Sequence, residues 1–328
     1  MKISLRSRVL AMALLASAAA TTAMAQVNAR QWEDRRWTSG TEMLAAKVVD
    51  SKTLVLAGSG YFDAGYGIAF SVKPVSHGNY DMTCLPSGRV TLPDDLSFIE
   101  LTDFANGDSW TRQSYQGVDV IVRKNRGGSI VDVYTPLDPG QTMRERADRM
   151  LIMLLCGDAN IGSTTYTCNG KEYTFRDDRT CSFAGQQLTY NIGCDETVPT
   201  NVIELSNGKA YMFQLTKEGI NLYEARLNDD SQMYEKGAIY ACLKADNTKP
   251  RWPYLSTIVI DKTFCLAASD VLPYMRNEIY ARKGYTFSNT AFSSYFRSCT
   301  WYHAKGDNAK VKLSPIESLN IAILKNGE

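Results

Sequence analysis

A cluster of charged and aromatic side chains between positions 276 and 285 has the clearest capacity for chemistry in this sequence. Arg276, Glu278 and Arg282 fall within two helical turns, beside Tyr280 and Tyr285. A planar guanidinium can bind a carboxylate through two hydrogen bonds or stack on an aromatic group. The cluster therefore has two interpretations: a small recognition surface, or an internal network in which arginine ties a helix to loop carbonyls. We favour the internal network, because a small module needs such contacts to fold.

Three further residues complete the set of candidate binding residues. Lys283 follows the last arginine of the cluster, and Trp301 and Tyr302 lie about twenty residues downstream. Adjacent aromatic residues can form a platform for a sugar ring, but they more commonly belong to a core. We therefore expect Trp301 and Tyr302 to be core residues.

Groups typical of catalysis are scarce. His77 and His303 are the only histidines, and they fall in different regions of the chain. The sequence has no His-Glu-x-x-His zinc motif, no Gly-x-Ser-x-Gly nucleophile turn and no glycine-rich phosphate loop. Its adjacent acidic pairs lie on predicted loops without the spacing of a calcium site: Asp94 and Asp95, Asp177 and Asp178, Asp229 and Asp230. We predict no catalytic residue, no metal and no cofactor, although two carboxylates facing across a cleft stay open as an alternative.

The charged cluster lies on the first of three predicted C-terminal helices. Leu272, Met275 and Ile279 form its apolar stripe, and a second stripe runs from Phe292 to Cys299. The third helix is predicted to begin at Ser314-Pro-Ile-Glu317, which has the form of a capping box with proline at the first helical position. Together these helices predict a small domain over residues 262–328.

This C-terminal region resembles the YARHG domain, an extracellular bacterial module. The resemblance rests on several spaced motifs: Arg276 to Arg282, Gly284-Tyr285, Phe287, Tyr295-Phe296, Trp301-Tyr302, Leu313-Ser314, Glu317 and Asn320-Ile321. The histidine of the family motif is replaced by Lys283, so no role that needs an imidazole carries over to this chain. The resemblance implies an accessory module for envelope attachment or recognition, and it names no ligand or activity.

The sequence has eight cysteines, all between positions 84 and 299. Their even number in an exported chain predicts four disulfides. Eight cysteines allow 105 pairings, and sequence alone does not choose between them. If the two modules described next are a repeat, Cys84–Cys156 and Cys168–Cys242 are equivalent bonds, and Cys181–Cys194 and Cys265–Cys299 are the two local ones.

Two β-rich modules are predicted before the C-terminal domain, over residues 44–160 and 161–249. Both contain a Met/Tyr-Thr-Cys segment, at Cys84 and Cys168, and both contain a glycine turn before an apolar strand, at Gly117 and Gly219. We interpret the modules as a degenerate tandem repeat; chance likeness between two β-rich segments is the alternative. Between them, Thr142 and Glu145 predict a capping box for one helix. The fold class is therefore α+β: two disulfide-braced β-rich modules followed by a three-helix domain.

The N-terminus has the pattern of a secretory signal peptide. Lys2, Arg6 and Arg8 precede an apolar run, and Ala23-Met24-Ala25 predicts cleavage after Ala25. Residues 26–43 form a polar leader. The whole chain has 36 basic and 35 acidic side chains, and loss of those three basic ones leaves 33 against 35. A near-neutral chain does not favour nucleic-acid binding, and no later run is long enough to span a membrane.

These observations predict a periplasmic or secreted protein without catalytic activity, which binds a cell-wall component or another envelope protein. Two alternatives belong to other classes of protein. One is a carboxylate-based hydrolase that acts on envelope glycans, and it would require a deep cleft with two acids of raised pKa. The other is a secreted inhibitor of a lysozyme-type enzyme, and it would require an exposed loop that carries serine or lysine.

Overall fold

The structure is a computed structural model of the full chain. It describes residues 36–48, 53–60, 66–76, 79–84, 88–90, 99–101, 109–115, 117–157, 163–194, 199–228 and 233–328. The predicted signal peptide and most of the polar leader lie outside these residues, as does His77.

The first β-rich region contains ten described strands. They are β1 (Arg36–Thr38), β2 (Glu42–Val48), β3 (Thr53–Gly60), β4 (Tyr66–Ser76), β5 (Asn79–Cys84), β6 (Gly88–Val90), β7 (Ile99–Leu101), β8 (Ser109–Tyr115), β9 (Val118–Lys124) and β10 (Ile130–Pro136). Their order in the sheet is β3-β2-β1-β10-β9-β8-β5-β4-β7-β6, and β3 also pairs with β4. This extra pairing joins β1–β5 and β8–β10 into a ring of eight antiparallel strands, with β6 and β7 attached beside β4.

The second β-rich region is a closed antiparallel barrel of eight strands. They are β11 (Ser163–Cys168), β12 (Lys171–Arg176), β13 (Thr180–Phe183), β14 (Gln186–Cys194), β15 (Pro199–Leu205), β16 (Ala210–Leu215), β17 (Gly219–Leu227) and β18 (Tyr234–Ala245). Alternate residues of its strands point inwards, as the pleat requires. Aromatic side chains dominate the interior, and Phe175 contacts Tyr166, Phe183 and Tyr190 with ring centroids 5.7–6.4 Å apart.

The two rings have the same up-and-down order, which bears on the predicted repeat. Gly117 lies between the sixth and seventh strands of the first ring, and Gly219 begins the seventh strand of the second. The glycine turns therefore occupy equivalent places. The cysteines do not: Cys84 ends the fifth strand of its ring and Cys168 ends the first, while Cys156 lies in a helix and Cys242 in a strand. An alignment of the two rings on their cysteines therefore superposes strands that do not occupy equivalent places.

Disulfide bracing is not supported by the structure. The six cysteines whose side chains are described are free thiols: Cys156, Cys168, Cys181, Cys242, Cys265 and Cys299. Strand geometry explains why Cys168–Cys242 is not formed. Cys242 is exposed between the buried Ala241 and Leu243, whereas Cys168 packs against the core, so the two thiols lie on opposite faces of the barrel wall.

The other predicted pairs are separated by their packing. Cys181 lies opposite Leu188 on β14, six residues before Cys194, which is about 20 Å along a strand. Cys156, predicted to pair with Cys84 on β5, contacts the Tyr190 hydroxyl of the closed barrel at 3.7 Å. Cys265 contacts the carbonyl of Ile323, and Cys299 contacts that of Tyr295, so these thiols pack against different helices.

Thiol labelling tests this correction. Burial raises the pKa of Cys156 and of Cys265 to about 12, so neither forms a thiolate near neutral pH. Exposed Cys242 is expected to react first with iodoacetamide under native conditions, and the two buried thiols only after unfolding. Peptide mapping by mass spectrometry without reductant measures this. Recovery of Cys168 linked to Cys242 would contradict the structure.

Helices follow each ring. Helix α1 (Met143–Cys156) has the predicted capping box of Thr142 and Glu145, and it ends at Gly157 in the left-handed conformation with φ 68°. The C-terminal helices are α2 (Lys262–Ala267), α3 (Leu272–Arg282), α4 (Thr290–Arg297) and α5 (Pro315–Gly327), with 3-10 turns at Pro253–Ser256, Ser269–Val271 and Asn308–Lys310. The three predicted helices are confirmed as α3, α4 and α5. Helix α2, which Asp261 caps, was not predicted.

The C-terminal helices share one hydrophobic core with the closed barrel, β11–β18, and with α1. This core contains Leu151 of α1, Phe175 of the barrel, and Met275 and Ile316 of the C-terminal helices. The segment between barrel and helices belongs to it as well, because Trp252 and Tyr254 are almost fully buried. The segment is therefore packed structure, and removal of the C-terminal helices would expose the base of the barrel.

Candidate functional site

Glu278 is the centre of the charged cluster. It lies on α3 with only 1% of its surface exposed, where a carboxylate needs partners. The backbone N–H of Trp252 donates to Oε1 at 2.7 Å, and the backbone N–H of Arg251 donates to Oε2 at 2.9 Å. Burial raises the pKa of Glu278, and the nearby Arg282 guanidinium and the two N–H groups lower it in part. Glu278 thus fixes the chain where it leaves the barrel.

Arg282 lies one helical turn after Glu278 and contacts the same segment. Its Nη1 donates to the Pro253 carbonyl at 3.1 Å and to the Ser256 hydroxyl at 2.8 Å. The guanidinium is largely buried, and burial lowers its pKa. This is the internal arrangement expected from the sequence, in which the motif arginine ties its helix to a loop carbonyl.

Lys283, which replaces the motif's histidine, forms an ion pair with Glu317. Its Nζ lies 3.0 Å from Glu317 Oε1. Glu317 is also the third residue of the α5 capping box, where it accepts from the Ser314 N–H, and it accepts from the Ser256 hydroxyl. Burial alone would raise the pKa of Glu317, but these donors and the ammonium outweigh it and hold the pKa below its usual value.

Replacing Lys283 with methionine tests this pair. The depressed pKa of Glu317 means that its ion pair stabilises the fold above the unfolded pKa of about 4.5, and that this contribution is lost as pH falls through the folded pKa. We expect Lys283→Met to lower the free energy of unfolding by about 0.5–1 kcal/mol at neutral pH. The deficit should vanish in acid. Urea unfolding at both pH values measures it, and a deficit independent of pH would contradict the assignment.

Arg276 is only partly buried. Its Nε and Nη2 contact the two carboxylate oxygens of Glu328 at 2.5 and 3.0 Å. Both side chains are about one quarter exposed. Because solvent-accessible ion pairs contribute little to stability, we expect Arg276→Ala to lower the free energy of unfolding by at most about 1 kcal/mol, measured by urea unfolding. A loss several times larger would contradict this.

The four aromatic candidates form a second, smaller core. Tyr280, Tyr285, Trp301 and Tyr302 are partly buried around Phe287 and Phe296. Phe287 stacks on Phe296 at 4.9 Å between ring centroids, and the Tyr302 hydroxyl donates to the Tyr285 carbonyl at 2.7 Å. Trp301 packs edge to face against Phe296 and Tyr302, and Tyr280 and Tyr285 are tilted against each other, so the rings are engaged with one another as expected for core residues.

Arg251 extends the network from the C-terminal helices to the barrel. Its two terminal nitrogens donate to the carbonyls of Thr216 and Gly219, at the turn between β16 and β17. Its guanidinium also lies 4.8 Å from the Trp252 ring. Since the backbone N–H of Arg251 donates to Glu278, one residue connects the motif helix to a barrel turn. Sequence reasoning missed this role, because Arg251 lies before the motif in a stretch, Asn247 to Pro253, whose composition is typical of a linker.

Asn320 of α5 fixes the other side of the same segment. It is fully buried; its Nδ2 donates to the carbonyls of Leu255 and Ile258, and its Oδ1 accepts from the Ile260 N–H. Asn320 was noted only as part of the family resemblance. Its three bonds show that residues on α3 and on α5 hold one strip of backbone between them.

A cavity of about 420 Å³ lies between β10, α2 and the end of α5. Two buried acids line it, Asp132 and Asp261. Asp132 pairs with Lys262 at 2.5 Å and with Arg123 at 3.6 Å. Asp261 caps α2 and accepts from Arg146 at 3.2 Å. Burial raises the pKa of Asp261, and the guanidinium partly offsets this.

The comparison with protein families identifies the C-terminal segment. Residues 253–328 match the family model of the YARHG domain. The match begins at Pro253, nine residues before the start predicted from the sequence, and so includes the backbone groups that Arg282 and Asn320 hold. The two N–H groups that donate to Glu278, of Arg251 and Trp252, lie just before it. Comparisons with curated proteins and with solved structures gave no match.

The YARHG domain indicates an extracellular accessory or binding module. Within the described ranges, no helix is long and apolar enough to cross a membrane. Among the same residues, no group of three or more histidine, cysteine or acidic side chains is placed to hold a metal ion.

Proposed function

We propose that this protein is an exported, non-catalytic accessory protein that binds a component of the cell envelope through its closed barrel, β11–β18. In this account the YARHG domain is the base of the barrel. The observation that carries the proposal is the use of the motif side chains: Glu278, Arg282 and Lys283 all bond to groups of the protein itself. Recognition of a partner therefore falls to another surface.

The hairpin formed by β17 and β18 offers such a surface. Four of the five exposed large apolar side chains in the described part of the chain belong to it: Leu227, Met233, Ile239 and Tyr240. These side chains lie along one hairpin, and exposed apolar patches are typical of a site that contacts another molecule. The fifth, Leu266, lies on α2 in the YARHG domain and provides a matched control.

The contacts of Asp132 and Asp261 weigh against the hydrolase alternative. A glycosidase needs one protonated acid and one carboxylate that face a substrate. Here each carboxyl group is bonded to a cation, and Asp261 also accepts the Phe264 N–H as a helix cap. Both groups are therefore engaged in holding the first ring, α1 and α2 together.

Retention on isolated peptidoglycan sacculi tests the proposal with the whole protein. Ile239→Glu places a charge on the hairpin, and Leu266→Glu places the same charge on the YARHG domain; both residues are 53% exposed, so neither change disturbs the core. We expect retention of the wild type and the Leu266 variant, and loss for the Ile239 variant. The opposite pattern would make the YARHG domain the binding unit.

Two other outcomes of the same experiment are decisive. Release of soluble glycan fragments would contradict a non-catalytic role. Absence of retention for all three proteins would remove the wall as the partner and leave another envelope protein, or the enzyme target of an inhibitor, to be tested by crosslinking.

A further inference from the structure

One edge of β18 extends beyond its neighbour in the barrel. On one side β18 pairs with β17 from Lys244 to Tyr234. On the other side the recorded pairs with β11 are Lys244 with Thr167 and Ala245 with Tyr166, and β11 ends at Cys168. Within the described ranges, no strand pairs with the outer edge of β18 between Tyr234 and Cys242. Unpaired strand edges present backbone groups to which an extended chain can bond.

A groove of about 480 Å³ lies where β11 ends beside this edge. Asn169, Ile239, Tyr240, Cys242 and Lys244 are among the residues that line it. Tyr240 is held in place because its ring lies 4.6 Å from Tyr211 and stacks on Phe183 at 5.9 Å between centroids. The neighbouring Ile239 is 53% exposed. The groove thus combines a fixed aromatic wall with an exposed apolar side chain.

The shape of β18 limits what can bind there. Its pairing with β17 shifts register twice, between Leu222 and Tyr223 and between Tyr223 and Ala225. Bulges of this kind bend an edge and interrupt a ladder, so a long strand cannot pair along its whole length. A short extended segment, in line with β11, can still bond near Ala241 and Cys242.

The charge of the groove indicates the chemistry of the occupant. Lys244 lines it and forms no ion pair in the described part of the chain, and no acidic residue lines it. A second copy of β18 would bring two lysines and one glutamate to this edge, a net positive charge that Lys244 disfavours. Resting on the proposed binding function, we propose that this groove docks a short extended segment of a partner protein, with an apolar side chain beside Ile239 and a carboxylate at Lys244.

Fluorescence anisotropy with two labelled synthetic peptides tests this proposal. Both have eight residues of alternating valine and threonine; one carries a central aspartate and the other a lysine at the same place. We expect saturable binding of the aspartate peptide to the wild type, and at least about fivefold weaker binding of the lysine peptide. Lys244→Glu should reverse this preference. Lys209→Glu, an equal change of charge on the turn between β15 and β16, should leave it unchanged.

Each contrary result overturns the proposal. These results are no saturable binding of either peptide, an affinity unchanged in Ile239→Glu, or a preference that Lys209→Glu reverses as well. Light scattering gives a further criterion: a dimer lost in Ile239→Glu would assign the edge to a second copy. Retention on sacculi without peptide binding would refute the docking groove alone and leave the proposed function standing.

Discussion

Replacement of Glu278 with glutamine is expected to destabilise the protein more than an equally conservative substitution of any other residue of the motif. Both carboxylate oxygens accept a backbone N–H, from Trp252 and from Arg251. The amide NH₂ of glutamine would face one of those donors, and a buried N–H would lose its acceptor. We expect the free energy of unfolding to fall by about 2–4 kcal/mol and the melting temperature by about 5–10 °C, measured by urea and thermal unfolding.

Glu328→Gln is the matched control for this prediction. It makes the same chemical change in the YARHG domain at a partly exposed carboxylate, whose partner is Arg276. Its expected effect is below about 1 kcal/mol. Equal effects of the two substitutions would show that Glu278 is not the residue that holds the segment after the barrel.

Removal of the Arg282 side chain is expected to have the second large effect, and that effect depends on pH. Arg282→Ala removes the bonds to Pro253 and Ser256 and takes from the buried Glu278 the guanidinium that favours its charged form. We expect a loss of about 2–4 kcal/mol at about pH 8. The loss should be smaller at about pH 4.5, because a protonated Glu278 needs no cation.

The direction of this pH dependence follows from the pKa of Glu278, which burial raises and which loss of the guanidinium raises further. When the pKa of a carboxyl group is higher in the folded than in the unfolded state, the free energy of unfolding falls as pH rises from the unfolded pKa through the folded pKa. Urea unfolding across this range measures the deficit, with Arg297→Ala as an exposed control on α4. A deficit that shrinks as pH rises would contradict the account.

Local patterns predicted the helices well and their assembly poorly. The capping boxes at Thr142 and Ser314 fixed two helix starts, because a cap is a bond between residues three apart. The same locality explains what was missed. Arg251 and Trp252 act through backbone groups that only the folded chain brings to Glu278. Among the described strands, β18 lacks a neighbour along part of one edge because β11 ends at Cys168.

The cysteines show how a count can mislead. An even number in an exported chain is typical of disulfides, but pairing requires side chains on one face and at one place. Cys242 and Cys168 fail the first condition, and Cys181 and Cys194 fail the second. With six thiols free, the cysteines no longer argue for an oxidising compartment. The proposal of export therefore rests on the YARHG match and on the N-terminal sequence pattern.

The central claim is that the YARHG motif holds the junction between barrel and helices, and hydrogen exchange at two amides tests it most directly. The backbone N–H groups of Arg251 and Trp252 should exchange slowly in the native protein, because Glu278 accepts both. In Glu278→Gln, at least one should exchange about tenfold faster or more, while the amides of β12 keep their protection. Fast exchange of both amides in the wild type, or rates that Glu278→Gln leaves unchanged, would contradict the account.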